Sequence, residues 1–202
     1  MSSAQPRWFT DTEAGHSQRY VERFRTMAAE GKDLDGEARL IDALVPRNSR
    51  ILDAGCGPGR VGGALHQRGH QVVGVDVDPI LIAAAEEDHP GPRWLVADLA
   101  TLDLGGIEGP EEPFDLVVVA GNVLLFVAPG TERKVLERLA AHVVPGGRIV
   151  IGFRRAEEYS YSRFDADITA AGLRLEQRFS TWDLEPFSRE SEFAVSVLRV
   201  AS

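Results

Sequence analysis

The sequence predicts an open α/β sheet, mostly parallel, with helices on both faces and an antiparallel hairpin at one edge. Three observations carry this. From about residue 49, short apolar runs alternate with amphipathic stretches, the pattern of a parallel sheet buried on both faces. A glycine-rich turn, Gly55-Cys56-Gly57-Pro58-Gly59, follows the first run. The last two runs alternate apolar and polar residues with period two, as an antiparallel pair does.

The elements follow in order. Residues 1–15 are polar and mixed and read as a mobile or loosely docked arm. From Ser17, the residues Tyr20, Phe24, Met27 and Ala28 fall at helical spacing, and Gly31 ends that helix. Asp35 reads as the N-cap of a second helix, which buries Leu40, Ile41 and Leu44 before Pro46 stops it. Residues 1–46 are therefore expected to form a helical cap and 47–202 the main domain, in one compact unit. Strands are expected at 50–54, 71–76, 93–97, 114–120 and 148–153. Helices are expected at 60–68, 79–88 and 132–143. Gly69 is placed to end the first of these. Asp78-Pro79 gives the second an N-cap and a first-turn proline. Pro145-Gly146-Gly147 reads as the turn into the fifth strand. A further helix near 163–171 closes at Gly172, and two strands follow around 173–179 and 193–198.

Composition narrows the function. With 202 residues and 44% hydrophobic content, the chain can bury one real core. The net charge of −9 disfavours nucleic acid as a partner, because that affinity comes from Lys and Arg on phosphate. No run of five basic residues occurs. The apolar runs 116–120 and 123–128 are too short for a bilayer, so no membrane partner is expected. Residues 1–7 carry no apolar signal segment. The single cysteine, Cys56, fits a reducing compartment. Together these features predict a cytoplasmic chain.

The chemistry-bearing motif is Leu52-Asp53-Ala54-Gly55-Cys56-Gly57-Pro58-Gly59-Arg60. A buried strand ends, a glycine turn follows and a helix begins. Glycines let the backbone turn tightly and approach a ligand. The carboxyl ends of parallel strands are where such sheets bind ligands. Asp76 closes the next strand, where a carboxylate can accept hydrogen bonds from both ribose hydroxyls. Asp98 closes the third and could receive the exocyclic amine of an adenine. Each piece alone has a plainer reading, as a simple turn or an N-cap. Three successive strands delivering a glycine loop, an acid and another acid to one sheet edge is more specific.

These residues resemble the class I S-adenosylmethionine (SAM)-dependent methyltransferases, over about residues 49–200. The glycine signature matches Asp53 to Gly59, the ribose acid corresponds to Asp76 and the adenine-side acid to Asp98. Phe114-Asp115-Leu116-Val117 looks like that family's fourth strand. The resemblance implies a Rossmann-like, seven-stranded sheet, SAM as cofactor and S-adenosylhomocysteine as product. It implies cofactor contacts from Asp53, Gly55, Cys56, Gly57, Gly59, Arg60, Asp76, Val77, Asp98, Leu99, Gly121 and Asn122. The first 45 residues fit loosely as the helical cap such enzymes lay over the cofactor. A nicotinamide-dinucleotide protein is the rival, but its G-x-G-x-x-G fingerprint needs a third glycine where Arg60 stands.

The acceptor is expected to be a small molecule. The segment after the fourth strand, Ala120-Gly121-Asn122-Val123-Leu124, lacks the Pro-Pro-aromatic motif of amino-directed DNA methyltransferases. Cys56 lies inside the cofactor loop, so no separate nucleophilic cysteine exists for cytosine-C5 chemistry. Asp103 and Glu108 read as solvated loop acids rather than a metal cluster. His16, His66, His70, His89 and His142 show no metal-ligand spacing. Candidates for the acceptor side are His16 and Tyr20, one helical turn apart, then Asn122, Phe126, Arg154 and Trp182. Arg154 with Arg155 would suit an anionic or polar acceptor. The sequence names no general base, and methyl transfer needs one only if the acceptor must lose a proton. An intact glycine loop also leaves open a chain that binds SAM without turning it over, as a sensor or scaffold.

Overall fold

The computed structural model describes residues 5–105 and 112–201. Its strands are β1 (Arg50–Ala54), β2 (Gln71–Asp76), β3 (Arg93–Val96), β4 (Phe114–Val119), β5 (Val143–Arg154), β6 (Leu173–Phe179) and β7 (Phe193–Val200). They form one seven-stranded sheet in the order β3-β2-β1-β4-β5-β7-β6. The pairs among β3, β2, β1, β4 and β5 are parallel. β7 runs antiparallel between β5 and β6, as the period-two alternation predicted. The helices are α1 (Arg7–Thr10), α2 (His16–Ala29), α3 (Gly36–Leu44), α4 (Arg60–Gln67), α5 (Pro79–Asp88), α6 (Val123–Phe126), α7 (Glu132–Ala141) and α8 (Tyr161–Ala170). Among the described residues, no helix is long and apolar enough to cross a membrane.

The continuous apolar runs exist because the central strands are covered twice. On one face, Leu52, Val117, Val119, Ile149 and Ile151 pack with Leu136 and Leu139 of α7 and with Phe164 and Ile168 of α8. On the other, Ile51, Leu116, Val118 and Val150 pack with Ala38 and Ile41 of α3 and with Val61 and Leu65 of α4. Burying a Leu, Ile or Val side chain contributes about 1.5–3 kcal/mol, so this two-sided core is what fixes the strand ends in space. The chain leaves β1 toward β2 on one side and returns through β4 on the other. A crevice therefore opens at the carboxyl ends of β1 and β4.

Several local expectations need correction. Pro145-Gly146-Gly147 is a bulge inside a longer β5, not a turn into it. The pairing jumps from Phe114↔Val143 to Leu116↔Arg148. Gly146 has φ of 74°, and a Cβ at Gly147 would lie 2.9 Å from the Asp115 carbonyl oxygen, so glycine is what lets the bulge lie against β4. α7 ends two residues early to make room for that strand. Asp35 precedes α3, but no side chain caps that helix. The Asp35 carboxylate accepts from the Arg68 guanidinium instead, at 3.0 Å. The N-terminal arm is docked from Arg7 onward: the Arg7 N–H reaches the Val127 carbonyl at 3.5 Å. Val21 of α2 packs on Leu81 and Ala84 of α5, with Trp8 and Tyr20 against them. By contrast, Asp78-Pro79 behaves as predicted, with the Asp78 side chain accepting from the Ile80 N–H and proline in the first turn.

Candidate functional site

The glycine loop is held by groups that the sheet delivers. Asp53, 1% exposed at the end of β1, accepts from the Gly62 N–H at 2.8 Å and ties the first turn of α4 to the strand. The N–H groups of Gly55 and Cys56 both donate to the Val75 carbonyl, at 2.7 and 3.0 Å. The Gly57 N–H donates to the Asp76 carboxylate at 2.9 Å. Gly57 has φ of 55°, a region that favours glycine. A Cβ there would meet nothing nearer than the Tyr20 ring at 3.7 Å, so it would project into the crevice. At Gly59, φ is 82° and a Cβ would lie 2.8 Å from that of Ala85. The close helix–strand approach that a third Rossmann glycine would give at position 60 comes instead from Gly62, where a Cβ would lie 2.8 Å from the Trp94 ring and 3.0 Å from the Asp53 carboxylate.

The acids stand where their strands end. The half-buried Asp76 carboxylate also accepts from the Asp78 N–H at 3.0 Å. Burial pushes the Asp76 carboxyl up to about 6, against the opposing pull of the Asp78 and Gly57 N–H bonds. Burial pushes Asp53 up to about 7. Asp98 accepts from the Ala100 N–H at 2.8 Å and caps the 3-10 turn Leu99–Thr101. Its plainer role and its place in the crevice coexist, since it also lines the cavity. Burial raises the Cys56 thiol well above its ordinary value. Its side chain packs against Ile82, Ala85 and Trp94.

Above these groups lies a cavity of about 100 Å³. Its far wall is aromatic. Trp8 meets Tyr20 edge-on at 5.5 Å between ring centroids and Phe126 at 5.6 Å. Tyr20 meets Phe24 at 5.0 Å. Burial raises the Tyr20 phenol above its ordinary value.

Most of the expected cofactor contacts line this cavity: Asp53, Gly55, Cys56, Gly57, Arg60, Asp76, Val77, Asp98, Leu99 and Gly121. Gly59 and Asn122 do not. The Asn122 carboxamide oxygen accepts from the Arg154 N–H at 2.8 Å and joins the exits of β4 and β5. Arg60 lines the cavity, but its guanidinium is spent on Glu37 in a bidentate pair at 2.6 and 2.7 Å and on the Leu34 carbonyl. Of the acceptor-side candidates, Tyr20 and Phe126 line the cavity. His16 stands behind Trp8, 4.7 Å away between centroids. Trp182 packs over Gly152 on the α3–α4 face of the sheet. Arg154 is exposed at the end of β5. Of the two loop acids, Glu108 lies outside the described residues. Sequence reasoning missed Pro6, Trp8, Val123 and Val127 as lining residues. The Trp8-Phe9 pair inside an otherwise polar arm was the signal for Trp8.

Fold and site together define an α/β protein that binds a nucleoside-bearing cofactor across the β1–β4 switch point. The comparisons specify which kind. A family model described as a methyltransferase domain matches residues 51–147. The chain is 44% identical to a TehB-like SAM-dependent methyltransferase from Corynebacterium glutamicum, with a TM-score of 0.85 over 94% of this chain and 100% of that one. It therefore belongs to the SAM-dependent methyltransferase family. It is also 34% identical over 114 residues to a ribosomal protein L11 methyltransferase from Idiomarina loihiensis, covering 56% of this chain and 36% of that protein. It is 33% identical over 105 residues to a trans-aconitate 2-methyltransferase from Methylobacterium nodulans, covering 51% and 37%. The chain thus spans well under half the length of these two curated relatives. The family's cofactor is SAM, and the residues present fit it: a crevice that a Gly57 Cβ would fill, two strand-end carboxylates for hydroxyl and amine donors, and apolar walls for a base.

Proposed function

We propose that this chain transfers a methyl group from SAM to a small-molecule acceptor held under the aromatic cap. The observation that carries the proposal is the continuity of one cavity from the glycine loop and its acids to Trp8, Tyr20 and Phe126. The family includes relatives named for protein, ribosomal RNA and small-molecule acceptors, so membership alone does not choose among them. A roof made of Trp8, Tyr20 and Phe126 in mutual contact favours an acceptor small enough to be enclosed. A macromolecule would need that roof displaced.

When bound, SAM supplies an electrophilic methyl group on its sulfonium. The chain's own residues then have three tasks. Asp76 would accept ribose hydroxyls with the carboxylate face left beside its two backbone bonds, and Asp98 would receive the adenine side. The backbone of Gly55, Gly57 and Gly121 would leave room for the cofactor where side chains would intrude. The cap would exclude water and align the acceptor, which is most of what direct in-line transfer asks of a protein. The Tyr20 hydroxyl, near Gly121 at the end of β4, is the polar group on the cap side of the cavity and would orient the acceptor.

The test is radiolabelled methyl transfer from SAM to pooled small metabolites, to total protein and to ribosomal RNA, with calorimetry of S-adenosylhomocysteine and of NAD alongside. Label in the small-molecule fraction is the expected result. Label only in protein or RNA would overturn the acceptor class. S-adenosylhomocysteine binding without label in any fraction would favour a sensor. Tight NAD binding without S-adenosylhomocysteine binding would overturn the reading altogether.

A further inference from the structure

Asp78 makes more contacts than a helix cap requires. It is 1% exposed. One carboxylate oxygen accepts from the Ile80 N–H at 2.8 Å and caps α5. The other accepts from the Trp8 indole N–H at 2.7 Å and from the Ser17 hydroxyl. Trp8 is on α1 and Ser17 is on α2, so one buried carboxylate holds the first two helices of the cap. Its own N–H donates to Asp76, at 3.0 Å, and Asp76 in turn holds the Gly57 N–H. A single chain of hydrogen bonds thus runs from the aromatic roof, through Asp78 and Asp76, to the glycine loop.

We propose that Asp78 is a positioning residue that latches the cap, through Trp8 and Ser17, to the turn carrying Asp76, so that closing the roof and organising the cofactor cradle are one event. The inference rests on the methyltransferase reading for its functional meaning, and on geometry alone for the latch. Three features favour a latch over an incidental contact. The bonds to Trp8 and Ser17 converge on one oxygen and span 70 and 61 residues of sequence. Hydrogen bonds from neutral donors to a buried carboxylate are among the stronger ones. Trp8 is also the ring that touches Tyr20, Phe126 and His16, so freeing its indole loosens the whole roof. Breaking these bonds would free α1 and α2 together, so the latch places cap motion under the control of Asp78.

The discriminating variant is Asp78→Asn. Asparagine is a good N-cap, so its carboxamide oxygen can keep the Ile80 bond and hold α5. Its NH₂ group then faces the indole N–H, donor against donor, and the bond to Trp8 is lost, while the Ser17 hydroxyl can turn to accept. Trp8→Phe removes the same bond from the other side, and Ser17→Ala removes the second. Hydrogen exchange of the unliganded protein reads the latch without any cofactor. In Asp78→Asn, amides of 7–29 are expected to lose protection by about tenfold, the size of one such bond, while those of β1, β4 and α5 stay as they were. Calorimetry should show S-adenosylhomocysteine binding weakened about tenfold in Asp78→Asn and in Trp8→Phe, and no weaker in the double variant, because both remove one interaction. Unchanged exchange across 7–29, or losses that add in the double variant, would overturn the latch. If the parent protein itself fails to bind S-adenosylhomocysteine, the methyltransferase reading fails, and the exchange experiment still decides whether Asp78 holds the cap.

Discussion

The Asp76 carboxylate accepts the Gly57 N–H at 2.9 Å, so the acid at the end of β2 holds the loop at the end of β1. On the proposed reading, a change at Asp76 disturbs the loop and the cofactor contact together. Asp76→Ala is expected to weaken S-adenosylhomocysteine binding by roughly ten- to hundredfold in a protein that still folds, since a bond to a charged acceptor is worth about 1.5–3 kcal/mol. Calorimetry on the variant, with circular dichroism to confirm the sheet, measures it. Unchanged affinity would make Asp76 a loop anchor only.

A pH dependence follows from the same burial. The Asp76 carboxyl is raised to about 6 and Asp53 to about 7, both from 3.8. For a carboxyl raised on folding, the native state holds a proton that the unfolded state has released, so its contribution to stability is present below the unfolded value and is lost as pH rises toward the folded one. Stability of the free protein is expected to fall between about pH 4 and about pH 7 on account of these two groups. Binding has the opposite sign. Ribose hydroxyls donate to the ionised form and favour it, so S-adenosylhomocysteine affinity should rise as pH passes about 6, with proton release on binding near that pH. Calorimetry in buffers of different ionisation enthalpy detects the proton. Its persistence in Asp76→Asn would assign it elsewhere.

Two glycines in one loop should fail in different ways. At Gly57 a Cβ points into the open crevice, and the positive φ adds backbone strain. At Gly55 a Cβ would overlap the Val123 side chain on α6. Gly57→Val is therefore expected to abolish cofactor binding with a modest loss of melting temperature. Gly55→Ala is expected to cost more stability, of the size seen for overpacking, about 1–3 kcal/mol. Thermal unfolding and calorimetry on the pair separate the two. A folded Gly57→Val protein with near-normal affinity would mean that the loop does not touch the cofactor.

The sheet was legible because its signals are local. β1 carries Ile51-Leu52 and β4 the run Leu116 to Val119, and Gly69, Gly172 and Asp78-Pro79 punctuate the helices as their chemistry requires. The bulge at Pro145-Gly146-Gly147 was misread because a proline-glycine pair looks the same in a turn and in a bulged strand. Only pairing with Phe114 and Leu116 distinguishes them. The cradle was legible for the same reason as the sheet: glycines and acids sit where strands end. The roof was legible in part: Tyr20 and Phe126 were candidates and line the cavity, and Trp8 was missed. Trp8 is held there by a bond to a residue 70 positions away, and no periodicity in a four-residue helix announces that. Trp182 and Arg154 were candidates because they follow strands. Trp182, between β6 and β7, packs over Gly152 and does not line the cavity.

Arg60 supplies the last prediction. It stands where a dinucleotide-binding loop would carry a glycine, and the structure gives it a job of its own. Its guanidinium forms the bidentate pair with Glu37, both side chains 18% exposed, lies over the Phe24 ring at 5.5 Å and donates to the Leu34 carbonyl. It thus ties α3 and the α2–α3 connection to the start of α4, beside the glycine loop. Burial is the largest single influence and would raise the Glu37 carboxyl, yet the hydrogen bonds and charge of Arg60, with smaller help from a backbone N–H and Arg39, together hold the group below its ordinary value. A depressed carboxyl contributes stability that is present above the unfolded value near 4.5 and lost as pH falls through the folded one. Arg60→Ala strands that carboxylate in a half-dry site and is expected to cost about 2–3 kcal/mol at neutral pH, less than a fully buried pair because some solvent remains. The deficit should shrink in acid, where Glu37 takes up a proton and no longer needs its partner. Arg60→Lys should recover only part of the loss, since an ammonium cannot make both bonds of the fork. Urea unfolding at neutral and acidic pH measures all three. A deficit in Arg60→Ala that does not change with pH would show that the packing over Phe24, and not the pair with Glu37, is what Arg60 contributes.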